Sequence, residues 1–186
     1  MPSPAPPPGR TVVLGLGNAL LRDDGVGLAV AGEVRRLLHA SPIPGVDVLA
    51  SARAGFELID LLQGYARALI VDCLVLPEPT PGRVRRLSVE DVSGSARLVD
   101  AHGLGVAQAL ALAERLGIPM PARVEVFGVE AADAQTFEEA LTPAVAAAVG
   151  PLAREIHARL LAQAPGDEVP DGDEFAKRRS LFAPPD

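Results

Sequence analysis

Apolar and polar positions along the chain change period several times, and each change marks an element. TVVLGLG (11–17) is a short apolar run rich in β-branched residues and closed by glycine, the pattern of a buried parallel strand. Val26, Val30, Val34, Leu37 and Leu38 then recur at helical spacing with Arg35 and Arg36 off the stripe, which predicts a helix over about 24–39. The prolines and glycine of 41–45 end it. VDVLA (46–50) predicts a second strand, 55–62 a second helix with apolar Phe56, Leu58, Ile59, Leu61 and Leu62, and ARALIVDC (66–73) a central strand apolar on both faces. This β-α-β-α-β order predicts right-handed crossovers and a parallel core sheet.

Beyond the loop PEPTPG, RVRRLSV (83–89) alternates apolar and basic residues as an edge strand does. A Gly/Ser loop precedes a helix from about His102 to Leu116, so rich in Ala and Leu that both its faces are expected to touch protein. RVEVFGV (123–129) predicts another strand. Thr142-Pro143 is an N-cap and first-turn pair for a last helix reaching about Leu161, which Pro151 is expected to kink or break. The sum is an α/β fold: three α/β/α layers around a twisted, mostly parallel sheet of about five strands.

Composition sets the limits of this domain. The first ten residues carry five prolines and no apolar segment, so 1–10 reads as a disordered leader rather than a secretory signal. Residues 164–186 are acidic and rich in Pro and Gly, a flexible tail, leaving 11–163 as a single folded domain. A net charge of −7 argues against a nucleic-acid binder, and aromatics at 3% supply no stacking platform. The longest apolar stretch, ALIVDCLVL, is nine residues and holds Asp72, far short of a membrane span. One cysteine allows no internal disulfide. A cytoplasmic protein fits best, with no long exposed apolar helix face to ask for more than a monomer.

Open α/β sheets gather ligands at the carboxyl ends of their strands. There the sequence places Asp23 and Asp24 after the first strand, Asp72 closing the third, His102 opening a helix, and Glu130 and Asp133 after the last strand. The opening turn has the outline of a dinucleotide site, but Leu20 occupies the third glycine position of G-x-G-x-x-G. Two carboxylates also stand where a pyrophosphate would need N–H donors. No nucleotide is expected. A cation fits better: the helix dipole favours an ionised Asp24, and Asp72 and His102 complete a mixed O/O/N set suited to Zn, Ni, Mn or Fe, with coordination positions left open. Structural roles account for each residue singly, Asp23 and Asp24 as N-caps, Asp72 as a strand-end acid and His102 as a turn residue. Both readings stand at this level. Cys73 reads as packing, Ser93-Gly94-Ser95 as loop, His39 as a helix-end imidazole, His157 as part of a solvated face, and Glu138 and Glu139 as acids ahead of a helix.

The segment Gly15-Leu-Gly-Asn-Ala-Leu-Leu-Arg-Asp-Asp-Gly-Val-Gly27 resembles the opening of the NiFe-hydrogenase maturation endopeptidases. The resemblance continues through Ala54-Gly55-Phe56-Glu57-Leu58, Ile70-Val71-Asp72, His102-Gly103-Leu104-Gly105 and Phe127-Gly128-Val129-Glu130, covering about residues 11–150. It implies a twisted sheet between helices and an enzyme that removes a C-terminal extension from the hydrogenase large-subunit precursor once nickel is inserted. Carried over position by position, its catalytic and metal-contacting residues are Asp24, Asp72 and His102, engaging nickel that the substrate carries. Cys73, Asp100-Ala101 and Ala131 depart from the small residue, the Ser/Thr-Pro pair and the proline frequent at those positions, the mark of a divergent branch. Asp23 or Glu130 is the general-base candidate. Two other classes remain on the sequence alone, a nickel-dependent chaperone that holds the precursor without cutting it and a hydrolase with its own resident metal.

Overall fold

The computed structural model describes residues 9–52, 55–89 and 106–162. Its elements are β1 (Thr11–Leu16), a 3-10 turn (Arg22–Gly25), α1 (Val26–Ala40), β2 (Val46–Ser51), α2 (Glu57–Leu62), β3 (Arg67–Leu74), β4 (Val84–Leu87), α3 (Val106–Arg115), β5 (Arg123–Glu130) and α4 (Pro143–Ala162). The strands form one sheet in the order β2-β1-β3-β5-β4. All neighbours are parallel except the edge strand β4, which runs antiparallel to β5.

Alternation along the central strands sorts the core into two layers. Val13, Leu69, Val71, Phe127 and Val129 point to one face, where Val26, Val30 and Val34 of α1 and Leu152, Ile156 and Leu160 of α4 cover them. Val12, Leu14, Ala68, Ile70 and Val126 point to the other, under Leu58, Ile59 and Leu62 of α2 and Val106, Ala109 and Ala113 of α3. A period of two in a strand buried on both sides makes this three-layer arrangement obligatory. Glycine brings α1 down onto the sheet: a Cβ on Gly27 would lie 2.1 Å from the Leu16 carbonyl oxygen and 2.4 Å from that of Val71.

Two expectations are corrected. In α3 only one stripe is buried, while Gln108, Ala111, Glu114 and Arg115 face outward; alanine at such positions reflects helix propensity, not burial. In α4 the helix runs unbroken from Pro143 to Ala162 through Pro151. Pro151 and Ala147, the residue whose carbonyl loses its donor, are both exposed, so water can take the freed carbonyl. Among the described residues no helix is long and apolar enough to cross a membrane.

Candidate active site

The order β2-β1-β3 places a topological switch between β1 and β3, since the chain leaves β1 for one neighbour and crosses back to add the other. A crevice opens at such a point beyond the carboxyl ends of the strands. Asp24 follows β1 there, and Asp72 lies in the last turn of pleat of β3.

The turn after β1 is tightly specified. Gly17 has φ +137°, and a Cβ on it would sit 1.8 Å from the Asp24 carbonyl oxygen, so only glycine lets the chain fold back this closely. The Asn18 amide donates to Asp24 Oδ2 at 2.8 Å, and the Asp24 amide donates to the Leu21 carbonyl at 2.8 Å. Asn18 Oδ1 accepts from the Leu20 amide at 3.0 Å. Arg22 takes the left-handed conformation, φ +39°, unusual for a side chain of its size. Its amide donates to the Glu138 carbonyl at 2.7 Å, and its guanidinium lies 3.3 Å from Asp133 and 3.4 Å from Glu138.

The two adjacent acids have opposite surroundings. Asp23 is fully buried. Its Oδ2 accepts from the amides of Ala132 (2.9 Å) and Asp133 (3.0 Å) and from the Thr142 hydroxyl (2.9 Å), and its Oδ1 from the Thr142 amide (2.7 Å). Asp24 is partly exposed at the sheet edge. Neither is an N-cap: Leu21 and Gly25 hold those positions for the turn and for α1, and neither makes a side-chain cap bond. The capping reading is therefore corrected, because the short 3-10 turn inserts itself between the acids and the helix start.

Glu130, a general-base candidate by sequence, lies buried in an ion-paired network. Burial raises its affinity for a proton, but the Thr80 amide at 2.5 Å, Arg85 Nε at 2.7 Å and the nearby Arg83 more than offset this and hold it below the ordinary carboxylate value. Asp133 is pulled down to about 2, mainly by the Thr136 side chain and the amides of Gln135 and Thr136, with Arg22 adding to them. Both acids organise loops.

Asp72 is half-buried, and its Oδ1 accepts from the Cys73 amide at 2.8 Å. By strand alternation it shares the face of Ala68 and Ile70, the side on which α3 packs. His102, four positions before α3, lies outside the described residues, as do Asp100 and Ser93-Gly94-Ser95. The structure thus brings Asp24 and Asp72 to one edge of adjacent strands; among the described residues no three His, Cys, Asp or Glu side chains gather closely enough to hold a metal. Two carboxylates so placed offer oxygen ligands or proton acceptors and repel phosphate.

Cys73 is half-buried and packs against the α1/α4 layer. His39 is exposed in the last turn of α1. His157 corrects its expected solvated position: it is half-buried, with Nε2 shielded from solvent and without a hydrogen-bond partner among the described residues. Sequence reasoning missed Asn18, Arg22 and Thr142 as builders of the site. Thr142 was legible only as a cap, since nothing in its spacing tells that a residue 119 positions earlier in the chain accepts its hydroxyl proton.

Fold and edge chemistry together define an open α/β domain whose ligand-facing rim carries acids. Residues 32–159 match the family model HycI, described as hydrogenase maturation protease. The chain is 31% identical to the hydrogenase expression/formation protein HupD of Rhodobacter capsulatus over 162 residues, 83% of this chain and 75% of that one. It is 29% identical to the hydrogenase 2 maturation protease of Escherichia coli over 153 residues, 81% and 90% of the two chains. The solved E. coli hydrogenase maturating endopeptidase HybD superposes with a TM-score of 0.67 at 26% identity, covering 82% of this chain and 93% of that one. The chain belongs to the hydrogenase maturation protease family and is an endopeptidase.

Proposed function

We propose that this endopeptidase removes the C-terminal extension of a NiFe-hydrogenase large-subunit precursor after nickel insertion, and that it recognises the nickel carried by that substrate through Asp24, Asp72 and His102. One observation carries the assignment: Asp24 and Asp72 flank the switch point between β1 and β3, at the carboxyl edge where open α/β sheets hold their ligands. The Asn18 amide supports the same reading, because a donor on Oδ2 fixes the direction of the Asp24 carboxylate.

The metal belongs to the substrate, and the protein supplies the ligands that complete its surroundings. Two carboxylates and an imidazole suit a divalent first-row ion, and a precursor without nickel offers them nothing to hold. Binding at the metal orients the nearby peptide bond and turns recognition into proximity. With Asp23 and Glu130 engaged elsewhere, activation of water falls to the metal and the acids at the edge; a bound divalent ion lowers the pKa of water to about 7 in favourable sites. The folded domain, residues 11–163, acts as a monomer in the cytoplasm in this reading.

The test mixes the purified chain with nickel-loaded and nickel-free precursor and weighs the products. The expected result is shortening of the loaded precursor alone, abolished in Asp24→Asn and His102→Ala. Wild-type processing by either variant overturns the assignment. Complex formation without shortening is the result of a chaperone, and cleavage of unrelated peptides that of a general hydrolase.

A further inference from the structure

We propose that Asp23 is a positioning residue: its buried carboxylate ties the turn that presents Asp24 to the segment joining β5 and α4, and so sets where Asp24 meets the substrate. This inference rests on the reading that Asp24 engages the precursor.

The donors to Asp23 come from both ends of one segment. Ala132 and Asp133 leave β5, and Thr142 immediately precedes α4, so a single carboxylate joins three stretches of chain at the sheet edge. The backbone repeats the link, with the Asp23 amide donating to the Asp133 carbonyl at 3.0 Å and the Glu138 amide to the Leu20 carbonyl at 3.1 Å. Asp24 is the next residue along the turn.

Stability alone does not ask for this arrangement. Buried charges with their partners give little more than well-packed apolar groups of the same volume, whereas a fully satisfied network holds one geometry. Arg22 supplies an independent sign that the geometry is imposed. A long side chain at φ +39° persists only where its surroundings over-determine it, and such residues gather at working sites. Loosening Asp23 lets Arg22 relax, and the Asp24 carboxylate moves with the turn.

Steady-state processing of nickel-loaded precursor by the full-length chain tests this. Asp23→Asn keeps the size but turns an amide NH2 toward N–H donors; Thr142→Val removes one donor at constant shape, and Thr142→Ser restores it. A displacement of about 1 Å near a reacting centre costs on the order of 100-fold in rate. Asp23→Asn is therefore expected to lower kcat at least about tenfold per folded molecule, with KM within about twofold of wild type. Thr142→Val is expected to lower kcat a few-fold and Thr142→Ser to recover it. A merely structural role changes the folded fraction and leaves kcat per folded molecule alone, and that result overturns the proposal, as does a rise in KM at constant kcat. If Asp23→Asn does not fold, the Thr142 pair decides: wild-type kcat in Thr142→Val refutes the positioning role. Asp24→Asn runs alongside. If it is inactive while Asp23→Asn and Thr142→Val match wild type, positioning fails and the nickel reading stands; if it is itself fully active, both fall.

Discussion

Gly27→Ala sets two known effects against each other and predicts the sign of the outcome. Gly27 lies in the first turn of α1, where alanine is favoured over glycine by about 1 kcal/mol of helix propensity. The added Cβ would stand 2.1 Å from the Leu16 carbonyl oxygen, 2.4 Å from the Val71 carbonyl oxygen and 2.9 Å from the Leu16 nitrogen. Carbon and carbonyl oxygen rest at about 3.3 Å, so the shortfalls are about 1.2 and 0.9 Å. Every obstacle is backbone in the two central strands, and no rotamer can relieve the clash. The helix must lift by about 1 Å, opening the layer in which Val26, Val30 and Val34 pack. Overpacking costs typically about 1–3 kcal/mol, and rigid obstacles place this site at the upper end or above it. After the propensity gain, the net loss is about 2 kcal/mol, or a Tm lower by about 4–8 °C for a chain of this size.

Gly32→Ala is the internal control. It lies in the same helix, is exposed, and has nothing within 4 Å of the added Cβ, so the propensity gain stands alone and stability is expected to rise by up to about 1 kcal/mol. Thermal and urea unfolding of both variants read the two signs. If Gly27→Ala is as stable as wild type or more so, α1 does not rest on β1 and β3 as described and the reasoning fails. The same lift displaces Asp24, three residues before Gly27, so processing is expected to fall below what the folded fraction explains.

Two further predictions concern protons. Tyr65, the chain's single tyrosine, is pushed up to about 12, first by burial and then by its hydrogen bond to Asp47 at 2.8 Å. Its phenolate absorbance is expected to appear near that pH, and Asp47→Asn to move the midpoint part of the way back toward 10.0, because burial, the larger cause, remains; a wild-type midpoint at the ordinary value refutes the contact. A raised acid pKa means that the stabilisation is complete below the ordinary value and is lost as pH rises toward 12. Asp133 works in the opposite direction: held at about 2 against an ordinary 3.8, it stabilises the fold above 3.8 and loses that contribution as pH falls toward 2. The Tm gap between wild type and Asp133→Asn is expected to be constant near neutrality and to close across that acid window; a gap that persists at its full size to pH 2 removes Asp133 from the loop's support.

Periodicity carried most of the fold. Apolar runs located β1, β2, β3 and β5 to within a residue or two, since even the edge strand β2 and the charged ends of β3 and β5 keep a β-branched apolar run bounded by turn residues. The misreadings have local causes. Alanine signals helix and burial with the same letter, so the open face of α3 was invisible. A helix carries an interior proline more cheaply where water reaches the freed carbonyl, and exposure of Ala147 is a tertiary fact. The strand-end rule selected the edge on which chemistry gathers, but it could not rank the acids it collected there. Asp23, Glu130 and Asp133 satisfy it as well as Asp24 and Asp72 do. The donors that tie the first three into loops come from Thr80, Arg85, Ala132, Thr142 and Arg22, all remote from their acceptors in sequence.

The adjacent pair Asp23-Asp24 shows why two like charges are tolerated at this turn. In a regular helix the two carboxylates would project about 100° apart and compete for the same few N–H donors at its start. The 3-10 turn and the left-handed Arg22 separate them instead. One carboxylate enters a buried nest of three amides and a hydroxyl, and the other accepts from the Asn18 amide at the edge. Repulsion between them is reduced because the Asp23 carboxylate is spread over four donors away from Asp24. A neutral residue at position 23 would relieve the repulsion equally well but would give up the link to Thr142 and the segment before α4. Such a chain is expected to keep its fold better than its rate. That difference between stability and turnover is what distinguishes an acid that positions its neighbour from one that merely fills the core.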